Sequence, residues 1–105
     1  MKVLYRQVAS DDIVRQFRYY LLASDLAPIA FRFRESVKRA VEFLSRNPLV
    51  GPRHVSKHPQ LQQLRSWPVA GFESIRIYYF VQGDVLHVVR ILHSKRDLQK
   101  ALEDA

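Results

Sequence analysis

Apolar and polar positions alternate from Val3 to Val8, with Val3, Tyr5 and Gln7 on one side and Leu4, Arg6 and Val8 on the other. A period of two predicts a first strand. Ser10-Asp11-Asp12 follows, a run of short oxygen side chains that can accept from orphan helix amides, and predicts a helix start there. Ile13, Phe17, Tyr20 and Leu21 then fall at helical spacing. The pattern breaks at Leu22-Ala23-Ser24-Asp25, where Ser24 or Asp25 can cap a second helix and Pro28 fits its first turn. Ile29, Phe33, Val37, Ala40, Val41 and Leu44 form one stripe, with Glu35 and Lys38 on a wet face and Arg32, Arg39 and Arg46 off the stripe. The stripe stops at Asn47-Pro48. Two helices joined by a short break predict a helical hairpin.

Residues 48–60, PLVGPRHVSKHPQ, hold three prolines and a glycine and read as a loop longer than a minimal connector. LQQLRSWPV, the link Ala70-Gly71, and two runs of strand composition at 74–81 and 85–93 come next. Gly83-Asp84 suits a two-residue turn that needs a positive backbone angle at its first position. A regular hairpin about that turn sets Val81 opposite Leu86, Tyr79 opposite Val88, Ile77 opposite Arg90 and Ile75 opposite Leu92. The other face then pairs Phe80 with His87, Tyr78 with Val89, Arg76 with Ile91 and Ser74 with His93. Residues 94–103 close the chain as a short helix with Ser94 as its cap. The expected class is α+β, one domain over 1–105. A small, mainly antiparallel sheet packs against an N-terminal helical hairpin, with a short C-terminal helix.

Composition sharpens this in three ways. Apolar residues make up 48% of the chain, enough for a globular core. With no cysteine there are no disulfides or thiolate metal sites, which fits a reducing cytoplasm. No apolar run approaches the roughly 18 residues of a membrane span, and the opening stretch MKVLYRQVASDD meets acids too early for a signal peptide. The net charge is +7, from seventeen Lys and Arg against ten acids. The excess lies before residue 73, and residues 48–72 carry Arg53, Lys57 and Arg65 with no acid. Such a surface is soluble and favours polyanions or an acidic partner.

Three stretches, NPLVGPRH, LRSWPVAGFESIRIYYFV and VLHVVRILHSKRDL, give the chain a family likeness. It resembles the RelE/ParE superfamily of toxins from type II toxin–antitoxin pairs, and its ParE branch in particular. In that branch a strand ends in an arginine, two apolar residues, a histidine and a basic–acidic pair. Arg90, His93, Arg96 and Asp97 match position by position. The resemblance implies a ParD-like antitoxin with an acidic disordered tail, held in a hetero-oligomer with the toxin. It implies DNA gyrase with its DNA as the target, without catalysis by this chain. RelE-like relatives instead cleave messenger RNA on the ribosome, and fold alone does not choose between the two.

Cleavage needs a base, charge stabilisers on the scissile phosphate and an acid for the leaving oxygen. His93 suits proton transfer, with Glu73 and Asp97 as further bases, and Arg65, Arg76 and Arg90 suit the phosphate. The C-terminal segment HSKRDLQKALEDA lacks the tyrosine that RelE-like enzymes often use there. Gripping gyrase on cleaved DNA needs only a basic surface, for which Arg65, Arg76, Arg90, His93 and Arg96 are the candidates. Each has a structural alternative. Arg90, in a column of apolar residues, calls for an ion pair, with Glu73, Asp97 or a helix acid such as Glu42. His93 can instead hold the Asp97 turn. Phe31 and Phe43 fall off the stripe of the second helix. With Arg39 they are the candidates for antitoxin contact. Trp67, Phe72, Tyr78 and Phe80 can stack on bases or pack in the core. His54 and His58, four apart with no third ligand, do not make a metal site, and no cofactor is expected.

Overall fold

The computed structural model describes residues 1–23, 27–54, 62–93, 97–98 and 100–101. Strand β1 spans Lys2–Tyr5, helix α1 Gln7–Ala23, helix α2 Ala27–Arg46, and strands β2, β3 and β4 span Arg65–Val69, Phe72–Gln82 and Val85–Leu92. The sheet order is β1-β4-β3-β2. β2, β3 and β4 form the expected antiparallel meander, and β1 adds parallel to β4. Both helices lie on one face of this α+β fold. Phe33, Val37, Ala40, Val41 and Leu44 of α2 and Ala9 of α1 share one core with Val69, Ile75, Ile77, Tyr79, Leu86, Val88 and Ile91. The α2 stripe is buried as the spacing requires, except that Ile29 is half-buried and its neighbour Ala30 is buried instead.

Three expectations need correction. The first strand ends at Tyr5 rather than Val8, and α1 starts at Gln7 rather than after Ser10-Asp11-Asp12. The Arg6 carbonyl already accepts from the amides of Ala9 and Ser10, so the chain turns straight from strand into helix. Asp12 sits inside the helix, fully buried, with its carboxylate turned to the sheet.

The hairpin register is the third. Gly83 takes a φ of +61°, the turn angle the sequence called for. Val81–Leu86, Phe80–His87 and Tyr79–Val88 pair as expected. A bulge then leaves Val89 without an opposite residue, so Tyr78 pairs with Arg90, Ile77 with Ile91 and Arg76 with Leu92. The shift exchanges faces. Ile91 joins the helix-side core and Arg90 leaves the column of Leu86 and Val88. Leu92 instead packs with Tyr78 on the opposite face of the sheet, under Leu98 and Ala101 from the helical residues at the chain's end.

The expected capping residues Ser24, Asp25 and Ser94, the loop residues Lys57 and His58, and Arg96 lie outside the described residues.

Candidate functional site

β1 covers β4 only as far as Val88, where the Arg6 amide donates to the Val88 carbonyl. Beyond that point the edge of β4 would be open. Two side chains of α1 close it. Asp12 Oδ2 accepts the Ile91 amide at 3.0 Å, and Gln16 Nε2 donates to the Ile91 carbonyl at 2.8 Å. A carboxylate and a carboxamide thus take the places of a neighbouring strand's carbonyl and amide. Arg90 completes the arrangement, donating from Nε to Asp12 Oδ2 at 2.8 Å and from Nη2 to Oδ1 at 2.9 Å. Arg15 adds a contact to Oδ1 at 3.0 Å from the solvent side. The bond to Asp12 holds the Arg90 guanidinium above its ordinary pKa, outweighing burial, which acts the other way.

Arg90 therefore has the structural ion pair that its apolar setting demanded. Its partner is a helix acid, as one of the expected alternatives had it, but Asp12 of α1 rather than Glu42. Nothing in the local sequence pairs residues 12 and 90.

Arg65 is also held internally. Its Nη1 donates to the carbonyls of Leu49 and Gly51, at 3.1 and 2.8 Å. Tyr79, its partner across the strands, works on the same turn. The phenol donates to the Pro48 carbonyl at 2.9 Å and accepts the Gly51 amide at 3.0 Å. Burial pushes the Tyr79 pKa up, against the opposing effects of the Gly51 bond and Arg65. Glycine at 51 is a steric requirement, because a Cβ there would come within 2.6 Å of both the Ser66 carbonyl oxygen and the Tyr79 hydroxyl.

Arg76 lies on the face of the sheet away from the helices, half-buried, with Nε and Nη2 both on Ser66 Oγ at 3.2 and 3.0 Å. It has no acid within salt-bridge distance among the described residues. Beside it, Tyr78 is 1% exposed and its hydroxyl has no hydrogen-bond partner among the described residues. Burial raises the Tyr78 pKa; Arg76 lowers it and Asp97 raises it. His93 is exposed just past the end of β4. Arg65 thus points to the helix side, while Arg76, Arg90 and His93 belong to the far end of the β3–β4 hairpin, with Arg90 bonded to Asp12 at the sheet edge.

Further exposed cations are on the helices. Arg32, Arg34, Lys38, Arg39 and Arg46 are exposed along α2, against Glu35 and Glu42. Phe31, Glu35, Arg39 and Phe43 form an i, i+4 row across its outer face, spanning roughly 18 Å. Phe31 is half-exposed and meets Phe17 edge-on at 5.4 Å, with the Arg34 guanidinium over both rings. Phe43 stacks on Trp67 at 5.4 Å. Between them Arg39 and Glu35 approach to 3.6 Å in the open. Of the other aromatics, Phe72 packs on Tyr20 and Phe33 in the core, and Phe80 stacks on His87 at 4.5 Å.

A family model for the ParE toxin of type II toxin–antitoxin systems, parDE, matches residues 3–98. The chain belongs to the ParE toxin family. Two solved structures share the ParE fold with it. One is from the chromosomal ParDE toxin–antitoxin system of P. aeruginosa, at 18% identity and a TM-score of 0.69, covering 90% of this chain and 97% of the other. The second is a YoeB/ParE toxin from Agrobacterium tumefaciens, also at 18% identity, with a TM-score of 0.62 over 89% of this chain and 98% of that one. No curated protein matches the sequence. Within the ParE domain, sequence reasoning missed Asp12, Gln16 and Tyr79. The legible signal was Gly51 in NPLVGPRH, flanked by Pro48 and Pro52, which marked a constrained turn without saying what constrains it.

Proposed function

We propose that this ParE-family chain acts as a toxin that binds DNA gyrase, stabilises the enzyme's complex with cleaved DNA, and is neutralised by a cognate antitoxin in the cytoplasm. The reading rests on the family match together with one geometric observation, the internal engagement of two of the four candidate catalytic groups, Arg65 and Arg90. RNA cleavage would need His93, Arg65, Arg76 and Arg90 to converge on one phosphate. Arg90 is engaged by Asp12, Arg65 by two loop carbonyls on the helix side, and His93 is exposed at a strand end. Holding a macromolecule needs no such convergence, only exposed positive charge. In this reading Arg76, His93 and Arg96 touch the target, while Arg65 and Arg90 position the strands that carry them. Phe31, Arg39 and Phe43 receive the antitoxin.

The test adds purified chain to gyrase and relaxed plasmid and follows supercoiling and trapped cleaved DNA, with messenger RNA on translating ribosomes assayed in parallel. Loss of supercoiling with linear, protein-linked DNA and intact transcripts is the expected result. Ribosome-dependent cuts abolished by His93→Ala would replace it with the endonuclease reading.

A further inference from the structure

The turn that follows α2 is fixed from the inside. Its carbonyls are taken up by the fold: that of Pro48 accepts from the Tyr79 phenol at 2.9 Å, and those of Leu49 and Gly51 accept from Arg65 Nη1 at 3.1 and 2.8 Å. The Val50 amide closes on the Asn47 carbonyl at 3.2 Å, and the Gly51 amide meets the same phenol at 3.0 Å. Pro48 and Pro52 bound the turn with restricted backbone angles. The Pro52 carbonyl accepts the Ser66 amide at 3.1 Å, which ties the turn to β2. The backbone is thus committed to the fold, yet the two large apolar side chains it carries are not. Leu49 is 66% exposed and Val50 42%. Behind them Phe43, itself part-exposed, stacks on Trp67, and its carbonyl accepts from the Asn47 side chain where the turn begins.

Charge brackets this apolar tip. The stretch RNPLVGPR begins at Arg46 and ends at Arg53. Both are exposed, and neither has an acid within salt-bridge distance among the described residues. Arg46 suits the negative end of the α2 dipole, which is reason enough for a cation there. That does not account for Arg53, nor for two aliphatic side chains held out in water between them. An apolar centre with a charged rim is how protein–protein contacts are built, with the centre excluding water and the rim setting partner and orientation. A nucleic-acid face places its cations at the centre, where the phosphates lie. A second copy of the turn would bring Arg46 and Arg53 against like charges. A turn already rigid also loses little entropy on binding. The fitting partner is therefore a protein with an apolar pocket rimmed by carboxylates.

We infer that the turn at 48–52 is a docking point for the toxin's protein target, with Leu49 and Val50 entering such a pocket and Arg46 and Arg53 meeting its carboxylates. It adds a contact at the opposite end of β2 from Arg76, which pairs with Pro68, whereas the turn is tied to Arg65 and Ser66. The inference rests on the gyrase reading for the identity of the target, and two readouts separate the two claims. One is the concentration of full chain that traps purified gyrase on cleaved plasmid. The other is growth arrest on induction, which does not presuppose the target. Leu49→Asp should raise the trapping concentration at least about tenfold and relieve the arrest. Arg46→Glu with Arg53→Glu should raise it about tenfold and flatten its dependence on salt. Val14→Asp with Arg18→Glu, an equally exposed apolar and cationic pair on α1, should change neither readout.

Melting curves check that each variant is folded, and if Leu49→Asp is not, Leu49→Ser with Val50→Ser takes its place under the same readouts. A folded tip variant that traps gyrase at the parent's concentration overturns the turn as a docking point and leaves the gyrase reading standing. Growth arrest that survives the tip variant overturns it whatever the target. If the parent leaves gyrase untouched, but arrest is lost in the tip variant and kept in the α1 control, the gyrase reading is wrong and the turn stands as the contact with another protein. A double-Glu variant as active as the parent would refute the carboxylate rim. A short DNA duplex that binds parent and Leu49→Asp alike, and loses affinity only in the double-Glu variant, would make this a nucleic-acid face and overturn the proposal.

Discussion

Asp12 shows how much one side chain can carry. It is fully buried, accepts a backbone amide and meets two guanidiniums. Asp12→Ala leaves the Arg90 charge and the Ile91 amide without their acceptor, which is expected to cost about 3–5 kcal/mol. Arg90→Leu in the same chain should recover part of that loss. Urea melts of the two single variants and the double variant would measure the coupling, and strict additivity would disprove it. Tyr78 points the other way. A buried hydroxyl without a partner is a standing penalty, so Tyr78→Phe should raise stability by about 1 kcal/mol, or several degrees in Tm. A lower Tm would mean that the hydroxyl is partnered in solution. Gly51→Ala should destabilise by about 1–3 kcal/mol, because the methyl group would push against a backbone carbonyl and a held phenol.

At the scale of elements, α2 was almost fully legible. Its stripe follows from a period of 3.6 against a single apolar sheet, and the helix stops at Arg46, as Asn47-Pro48 implies. The far half of the β3–β4 hairpin was not legible. Local alternation from the Gly83 turn gives the right register for three pairs, and then Val89 is left over. The bulged end of β4 meets α1, whose Asp12 and Gln16 bond Ile91 at the sheet edge from some 75 residues away in the chain. Ser10-Asp11-Asp12 misled for the same reason, since a carboxylate committed to a distant strand is not a cap. The outer row of α2 carries a prediction of its own. The exposed Arg39–Glu35 pair contributes at most about 0.5 kcal/mol. Arg39→Glu should therefore leave the melting curve nearly unchanged while weakening capture by an acidic antitoxin segment by about tenfold or more, measured by calorimetry. Unchanged affinity would remove Arg39 from that surface.

For the whole molecule, the +7 charge and its excess before residue 73 were read from the sequence, but the face of the fold that displays it was not. Of the arginines expected to form a C-terminal grip, Arg65, Arg76 and Arg90 are each bonded within the fold, and among the described residues α2 displays more outward cations than the strand end does. The pH dependence is also a property of the whole. Burial is the first cause raising the phenol pKa of Tyr5, Tyr20, Tyr78 and Tyr79 above the usual 10.0. A raised pKa means that the fold favours the neutral phenol. The associated stability is present in full below about pH 10 and is lost as pH rises past it. Urea midpoints should hold steady to about pH 9.5 and fall above that, with phenolate absorbance rising as the chain unfolds. A flat profile through about pH 11 would show that these phenols ionise without opening the fold.

The sequence by itself determined the order of elements, the hairpin of helices, the meander with its Gly83 turn, the buried stripe of α2 and the family. These follow from short-range periodicity and turn chemistry, which act between residues a few positions apart. Only the tertiary structure decided that β1 joins the sheet parallel to β4, that Asp12 and Gln16 finish the edge of β4 beyond it, and that Arg65 and Arg90 are bonded within the fold. Those outcomes depend on which buried charge and which strand edge find partners once distant segments meet, and no local pattern encodes that.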